Sequence, residues 1–200
     1  MSFIPLSESV GEYSDLSSSF TAYLYPLSKE EDFAALYEAI RRKNLKAAHI
    51  PYAFRLGEYE KCSDDGEPSG TAGRAALEAI KNRGIDQVAI ILVRYFGGTK
   101  LGIPRLRRAF LEATNLALAN AKYGQKKKML RYDVEVDYPS YEAIKRLARK
   151  YGYSVSNENF GISVSLSLLS DGKIDNAFEA LGLAANPPRP VEVECILEDS

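Results

Sequence analysis

The chain of 200 residues has only two cysteines, one histidine and almost no net charge, and each shortage removes a class of function. Cys62 and Cys195 lie far apart and form no CxxC pair. That spacing excludes a zinc ribbon and a disulfide framework, and it leads us to expect a reducing, cytoplasmic setting. His49 stands alone with no nucleophile pattern near it, so the sequence assigns it no catalytic triad, and a packed or hydrogen-bonded ring in a strand is the ordinary outcome. Cys62 has no base fixed beside it to make it a nucleophile. The N-terminus, MSFIPLSESVGEY, lacks a basic segment followed by a long apolar one, and no apolar run reaches membrane-spanning length. A net charge of -1 argues against a uniformly basic nucleic-acid binder and against an acidic disordered chain. Neither an internal repeat nor a low-complexity tract is present, which excludes a repeat architecture.

What is present is an apolar content of 46%, enough for one substantial core or two smaller ones. The near-zero charge conceals an asymmetry. Residues 122–150 carry nine Lys/Arg against four acids, whereas residues 158–200 carry two against eight. A basic patch of that kind can steer a polyanion. The Lys126–Lys128 run and the Lys145, Arg146 and Arg149 face read more simply as a solvated linker and helix surface.

A helical pattern gives way to Gly124 and three lysines within AKYGQKKKML, residues 121–130, so we divide the chain into domains 1–125 and 130–200. The second reads as β-α-β-β-α-β. RYDVEVDY alternates apolar and polar residues as a half-buried strand does. Pro139 opens a helix with an apolar stripe of Ile144, Leu147, Ala148 and Tyr151, and Gly152 ends it. Tyr153–Ser156 and Ile162–Leu168 are expected strands around an Asn157–Gly161 turn. Asp171 then caps a second helix with the stripe Ile174, Ala177, Phe178 and Leu181, stopped by Gly182, and Val191–Leu197 is the closing strand. This order is that of a ferredoxin-like split β-α-β sandwich.

In the first domain Ser19–Leu27 reads as a strand, and Ser28 with Glu31 as the capping box of a helix burying Phe33, Leu36, Tyr37 and Ile40. Ala47–Leu56 is an expected second strand. A helix starts near Gly73, Gln87–Val93 is a buried strand, and a long helix runs from Pro104 to about Ala119 on a stripe of Leu106, Ala109, Phe110, Ala113 and Ala117. Mixed strands and helices without strict alternation predict an α+β class.

Two glycine-rich segments carry the candidate chemistry: SDDGEPSGTAGR at residues 63–74 and RYFGGTKLG at residues 94–102. Such loops are where rigid scaffolds commonly place binding or catalysis. In the first, Gly70, Thr71, Ala72 and Gly73 lead into a helix whose first turn offers free N–H groups. Ser69 and Thr71 add hydroxyls and Arg74 a guanidinium, the composition of an anion cradle. The GK[ST] ending of a phosphate-binding Walker loop is absent, and on the plainer reading Ser69 or Thr71 is a helix cap. Asp64, Asp65 and Glu67 are candidate ligands for a hard cation such as Mg²⁺, but an Asx turn with Glu67 solvated is the reading we favour, so no metal is expected. In the second segment Arg94 and Lys100 flank Tyr95, Phe96, Gly97 and Gly98. Cations interleaved with exposed aromatics suit base stacking and phosphate contact in single strands; the alternative is that Phe96 and Leu101 plug the core.

The two segments, about twenty residues apart, resemble the paired motifs of the IMPACT/YigZ family of bacterial, archaeal and eukaryotic proteins. Ser19–Ala119 is similar to the IMPACT N-terminal domain, and residues 130–200 to the small C-terminal domain of the YigZ branch. The resemblance implies a fold like the second domain of ribosomal protein S-five for the first domain. For the second it implies a ferredoxin-like domain akin to the last domain of elongation factor G. It also implies a link to translation: eukaryotic members act in its control under amino-acid starvation, and a nucleic-acid or ribosome-associated role has been proposed for bacterial ones. The family pattern LGxGGLxRAY reads LGIPRLRRAF here, with Pro104 and Arg105 in place of the glycine pair, and Ala75 stands where the family has proline. Pro104 preserves the helix start, and Arg105 restores an anion-seeking group.

These readings converge on a protein that uses no cofactor and binds RNA or a ribosome-linked factor, with Arg74, Arg94, Lys100 and Arg105 on phosphates and Tyr95 or Phe96 stacking. An enzyme holding a small phosphorylated ligand at Gly70–Arg74 and a protein–protein module are the alternatives.

Overall fold

A computed structural model describes residues 2–170, Gly172, Ile174 and the backbone of residues 191–198, with the side chains of Lys126 and Lys127 outside that description. Helices and strands mix in an α+β arrangement, and the chain divides into two compact units, the second spanning Lys127–Ile196 and the first taking the residues before it together with Leu197 and Glu198.

The first unit is built on an antiparallel sheet of β2 (Ser9–Asp15), β3 (Ser18–Pro26), β6 (Val88–Tyr95), β4 (Tyr52–Leu56) and β5 (Tyr59–Ser63), in that spatial order. Its helices are α1 (Glu30–Lys43), α2 (Gly73–Asn82) and α3 (Ile103–Asn120). The central strand β6 has an unbroken apolar run because both sheet faces are covered. Val88, Ile90 and Leu92 pack with Phe20, Leu24, Ala76 and Phe110 beneath α2 and α3. Ala89, Ile91 and Val93 face the other way, toward Phe33, Leu36 and Ile40 of α1. Each such large apolar side chain stabilises the fold by roughly 1.5–3 kcal/mol.

The long helix α3 crosses β2 at backbone distance. A Cβ on Gly11 would collide with the main chain of Ala113 and Ala117. Ser9 Oγ donates to Ala117 O at 2.7 Å and Asn120 Nδ2 to Val10 O at 2.8 Å, fastening the start of β2 to the last turn of α3.

Several expectations are corrected. The Ser28–Glu31 capping box does not form; Lys29 is the α1 N-cap and makes no side-chain bond. Glu30, Glu31 and Asp32 instead place negative charge at the positive end of the helix. The strand expected over Ala47–Leu56 begins only at Tyr52, because Pro51 has no N–H to give a ladder and Ile50 N donates to Asp65 instead. Neither β2 nor β5 was anticipated, and both carry weak alternation.

The second unit contains most of β7 (Tyr123–Val136), then α4 (Tyr138–Tyr151), β8 (Ser154–Phe160), β9 (Val164–Ser170) and most of β10 (Val191–Glu198). Spatial order β10-β7-β9-β8 is that of the ferredoxin-like sheet. The lysine-rich segment is strand rather than linker: Tyr123–Gln125 pairs with β1 (Phe3–Pro5), and Leu130–Val136 pairs with β9. Asp137 caps α4 by accepting from Ser140 N at 2.9 Å, and Gly152 ends it at φ 72°. Tyr141, Ile144 and Ala148 meet Tyr132, Val134 and Leu166 in a separate core, whereas Tyr151 is exposed and stacks on Tyr153. Most of the expected Asn157–Gly161 turn is strand instead: Asn157–Phe160 belongs to β8, with Asn157 at φ 54° where the register shifts between Ser156 and Asn159, and only Gly161 lies beyond it. The expected helix from Asp171 to Gly182 lies outside the described residues, apart from Gly172 and a buried Ile174.

Candidate functional site

The first glycine-rich segment runs from the end of β5 into α2, and an anion already sits in it. Asp64 Oδ1 accepts from the N–H groups of Ala72 and Gly73, each at 2.9 Å, and Oδ2 accepts from Gly70 N at 2.8 Å. The donors expected to cradle a ligand are thus satisfied by the chain's own carboxylate. Thr71 is buried, with Oγ1 donating to Pro68 O at 2.6 Å, so it is not available either, and Ala72 rather than Ser69 or Thr71 is the α2 N-cap. Gly73 cannot carry a side chain, because a Cβ would strike Ser63 O and Tyr52 O. Ser69 is exposed, and Arg74 lies along the helix surface 3.8 Å from Glu78.

The three carboxylates considered as metal ligands diverge. Asp64 turns into the loop, Asp65 Oδ2 accepts from Ile50 N at 2.6 Å, and Glu67 pairs with Arg94. Among the described residues no group of three potential ligands converges. Cys62 is half-buried, and desolvation raises its thiol above the ordinary value, the opposite of an activated nucleophile.

The two segments do meet, through Glu67 and Arg94. Arg94 Nη1 donates to both Glu67 oxygens, at 3.1 and 3.3 Å, with both side chains largely shielded from solvent. The guanidinium carbon stands 5.6 Å from the ring centre of Phe20 and 5.4 Å from that of Phe96, a cation between two aromatic rings. Around this pair opens a cleft of about 390 Å³ lined by Lys46, Ala48, His49, Gly66, Glu67, Arg94, Tyr95 and Phe96. Gly66, at φ +89°, lies against the His49 ring, where any Cβ would collide with the imidazole. Phe96 is 56% exposed at the rim, so it does not plug the core. Tyr95 is held by its hydroxyl, which donates to Asn44 Oδ1 at 2.9 Å.

Gly97 rests on the β2–β3 turn: its N–H donates to Ser18 Oγ at 3.0 Å, and a Cβ would enter the Ser17 main chain. Gly98, at φ +92°, and exposed Lys100 project beyond that contact, and Lys100 has no ion pair among the described residues. Arg105 is engaged instead by Asp15, with Nε and Nη2 donating to the two carboxylate oxygens at 2.6 and 2.5 Å. The phosphate role expected of Arg105 is therefore filled in this fold by a carboxylate.

A cationic cluster escaped the sequence reading. Arg41, Arg42 and Lys43 end α1, and Lys46 follows on the cleft wall. In sequence, RRKNLK looks like any helix C-terminus answering its own dipole; only the return of β6 brings Tyr95 and Phe96 beside it.

The family model of the Impact N-terminal domain matches residues 16–118. The chain belongs to the IMPACT family. This IMPACT family member is 30% identical to YvyE of Bacillus subtilis over 164 residues, 80% of this chain and 76% of YvyE. It is 28% identical to YigZ of Escherichia coli over 154 residues, covering 74% of this chain and 76% of YigZ. A crystal structure of a hypothetical protein superposes with a TM-score of 0.62 at 23% identity, covering 99% of this chain and 97% of that one, a likeness of fold. The matched span contains both glycine-rich segments and every residue of the cleft.

Proposed function

We propose that this IMPACT family member is a non-catalytic, translation-associated protein that takes an unpaired RNA nucleotide into the cleft between its two glycine-rich segments. One observation carries the reading: Phe96 stands 56% exposed at the rim of a cleft whose walls hold Lys46, His49 and Arg94. An exposed ring of this kind offers a stacking face to any base, and cations beside it hold the backbone. Phe96 is the platform, with Arg94 bracing its inner side; Lys46 and Lys100 answer the phosphates. Family membership supports the translation setting. The small-ligand alternative at Gly70–Arg74 is disfavoured because Asp64 occupies those donors.

The test is fluorescence anisotropy with a labelled single-stranded RNA octamer. Two phosphate contacts predict a slope of log K against log salt of about -1.4. Phe96→Ala should weaken binding by about 1–3 kcal/mol, the usual worth of one stacked base. A salt-independent affinity, or no binding at low salt, would reject the reading.

A further inference from the structure

A second cavity of about 370 Å³ adjoins the first and shares Ala48 with it; its walls include Tyr37, Arg41, Asn44, Ile50 and Asp65. The two are parts of one groove. Tyr95 lines the first, Asn44 lines the second, and the hydrogen bond between them at 2.9 Å forms their common wall. Asn44 is itself fixed, since its Nδ2 donates to Ile40 O at 2.8 Å. Both volumes fall in the range of small-molecule sites, and exposed Ala48 lines both beside that hydrogen bond.

We infer that the second cavity is the subsite for the adjacent nucleotide of the same strand, and that it prefers a base bearing an amino group. This rests on the RNA reading above. Arg41, at the mouth, is the cation available to the linking phosphate, and its side chain is 65% exposed with only a loose 3.6 Å approach to Glu38. Asp65 supplies the selectivity. Its Oδ2 is taken by Ile50 N at 2.6 Å, while Oδ1 has no hydrogen bond among the described residues. A carboxylate oxygen accepts from the exocyclic amine of cytosine and repels the carbonyl edge of uracil. A groove of two pockets admits splayed bases and excludes a duplex, whose bases remain stacked inside.

Amide chemical-shift titrations of the full chain with CMP, CpC and UpU test the inference. CMP should move the Phe96 region alone. CpC should also move the amides of Asn44, Ala47 and Ala48 and bind about tenfold more tightly than CMP, with UpU gaining less. Arg41→Ala, an exposed helix-surface change, should bind CpC no more tightly than CMP, and Asp65→Asn should erase the preference for CpC over UpU. If CMP still shifts Phe96 but residues 44–48 stay still with CpC, or Arg41→Ala keeps the full gain, the second subsite is rejected and the RNA reading stands. If no nucleotide shifts any cleft amide, both fall.

Discussion

Glu67 and Arg94 join the two glycine-rich segments by an ion pair at 3.1 Å, with side-chain exposures of only 6% and 15%. Arg94 Nε is buried without a hydrogen-bond partner, and among the described residues Glu67 is the anion paired with this guanidinium. Removing one member of such a pair leaves an unanswered buried charge. Glu67→Ala should therefore lower unfolding stability by about 3 kcal/mol, read from urea denaturation. The double variant Glu67→Leu, Arg94→Met removes both charges and should recover most of that loss. A single variant as stable as the wild type would contradict the account.

Asp64 holds three N–H groups at the head of α2. Asp64→Ala should cost about 2 kcal/mol, the upper end for a lost helix cap, because more than one donor is orphaned at once. Asp64→Asn retains acceptor oxygen and should lose less. Thermal melts of the two variants give the comparison, and an Asp64→Ala melting temperature equal to that of the wild type would show that these bonds carry no weight.

Gly11 lets α3 lie on β2. Gly11→Ala forces a methyl into the helix backbone, and overpacking of this kind costs typically about 1–3 kcal/mol. Gly98, with open space around it, provides the control for a glycine change without a clash, although its φ of +92° adds strain of a separate kind. Hydrogen exchange should show the Gly11→Ala loss concentrated in β2 and α3.

The hydrogen bonds from Arg105 hold the Asp15 carboxyl below its ordinary value of 3.8, and burial opposes that shift without reversing it. A carboxyl depressed in the native state contributes stability that is complete above its unfolded value and disappears as pH falls through the native one. The stability difference between wild type and Asp15→Asn should therefore be constant near neutrality and vanish in acid below 3.8. A difference that does not shrink as pH falls below 3.8 would mean that the pair acts through packing rather than charge.

Much of this protein was legible as a string of residues because the relevant signals are local. The stripe of Leu106, Phe110, Ala113 and Ala117 marks α3, and Pro139 and Gly152 bracket α4. In the second unit β7, α4 and β9 follow from periodicities that switch between two and 3.6 residues. The two glycine-rich segments likewise announce themselves by composition. What the folded chain alone decided are partnerships between residues far apart. Asp64 reads as part of an Asx turn until β5 and α2 bring it beside Gly70 and Gly73. Glu67 reads as a loop acid until β6 delivers Arg94 from 27 residues away. Arg41–Lys46 reads as the end of an ordinary helix until Tyr95 and Phe96 arrive next to it. Periodicity records which face of an element is buried; which charge meets which donor depends on the approach of elements that share no stretch of sequence.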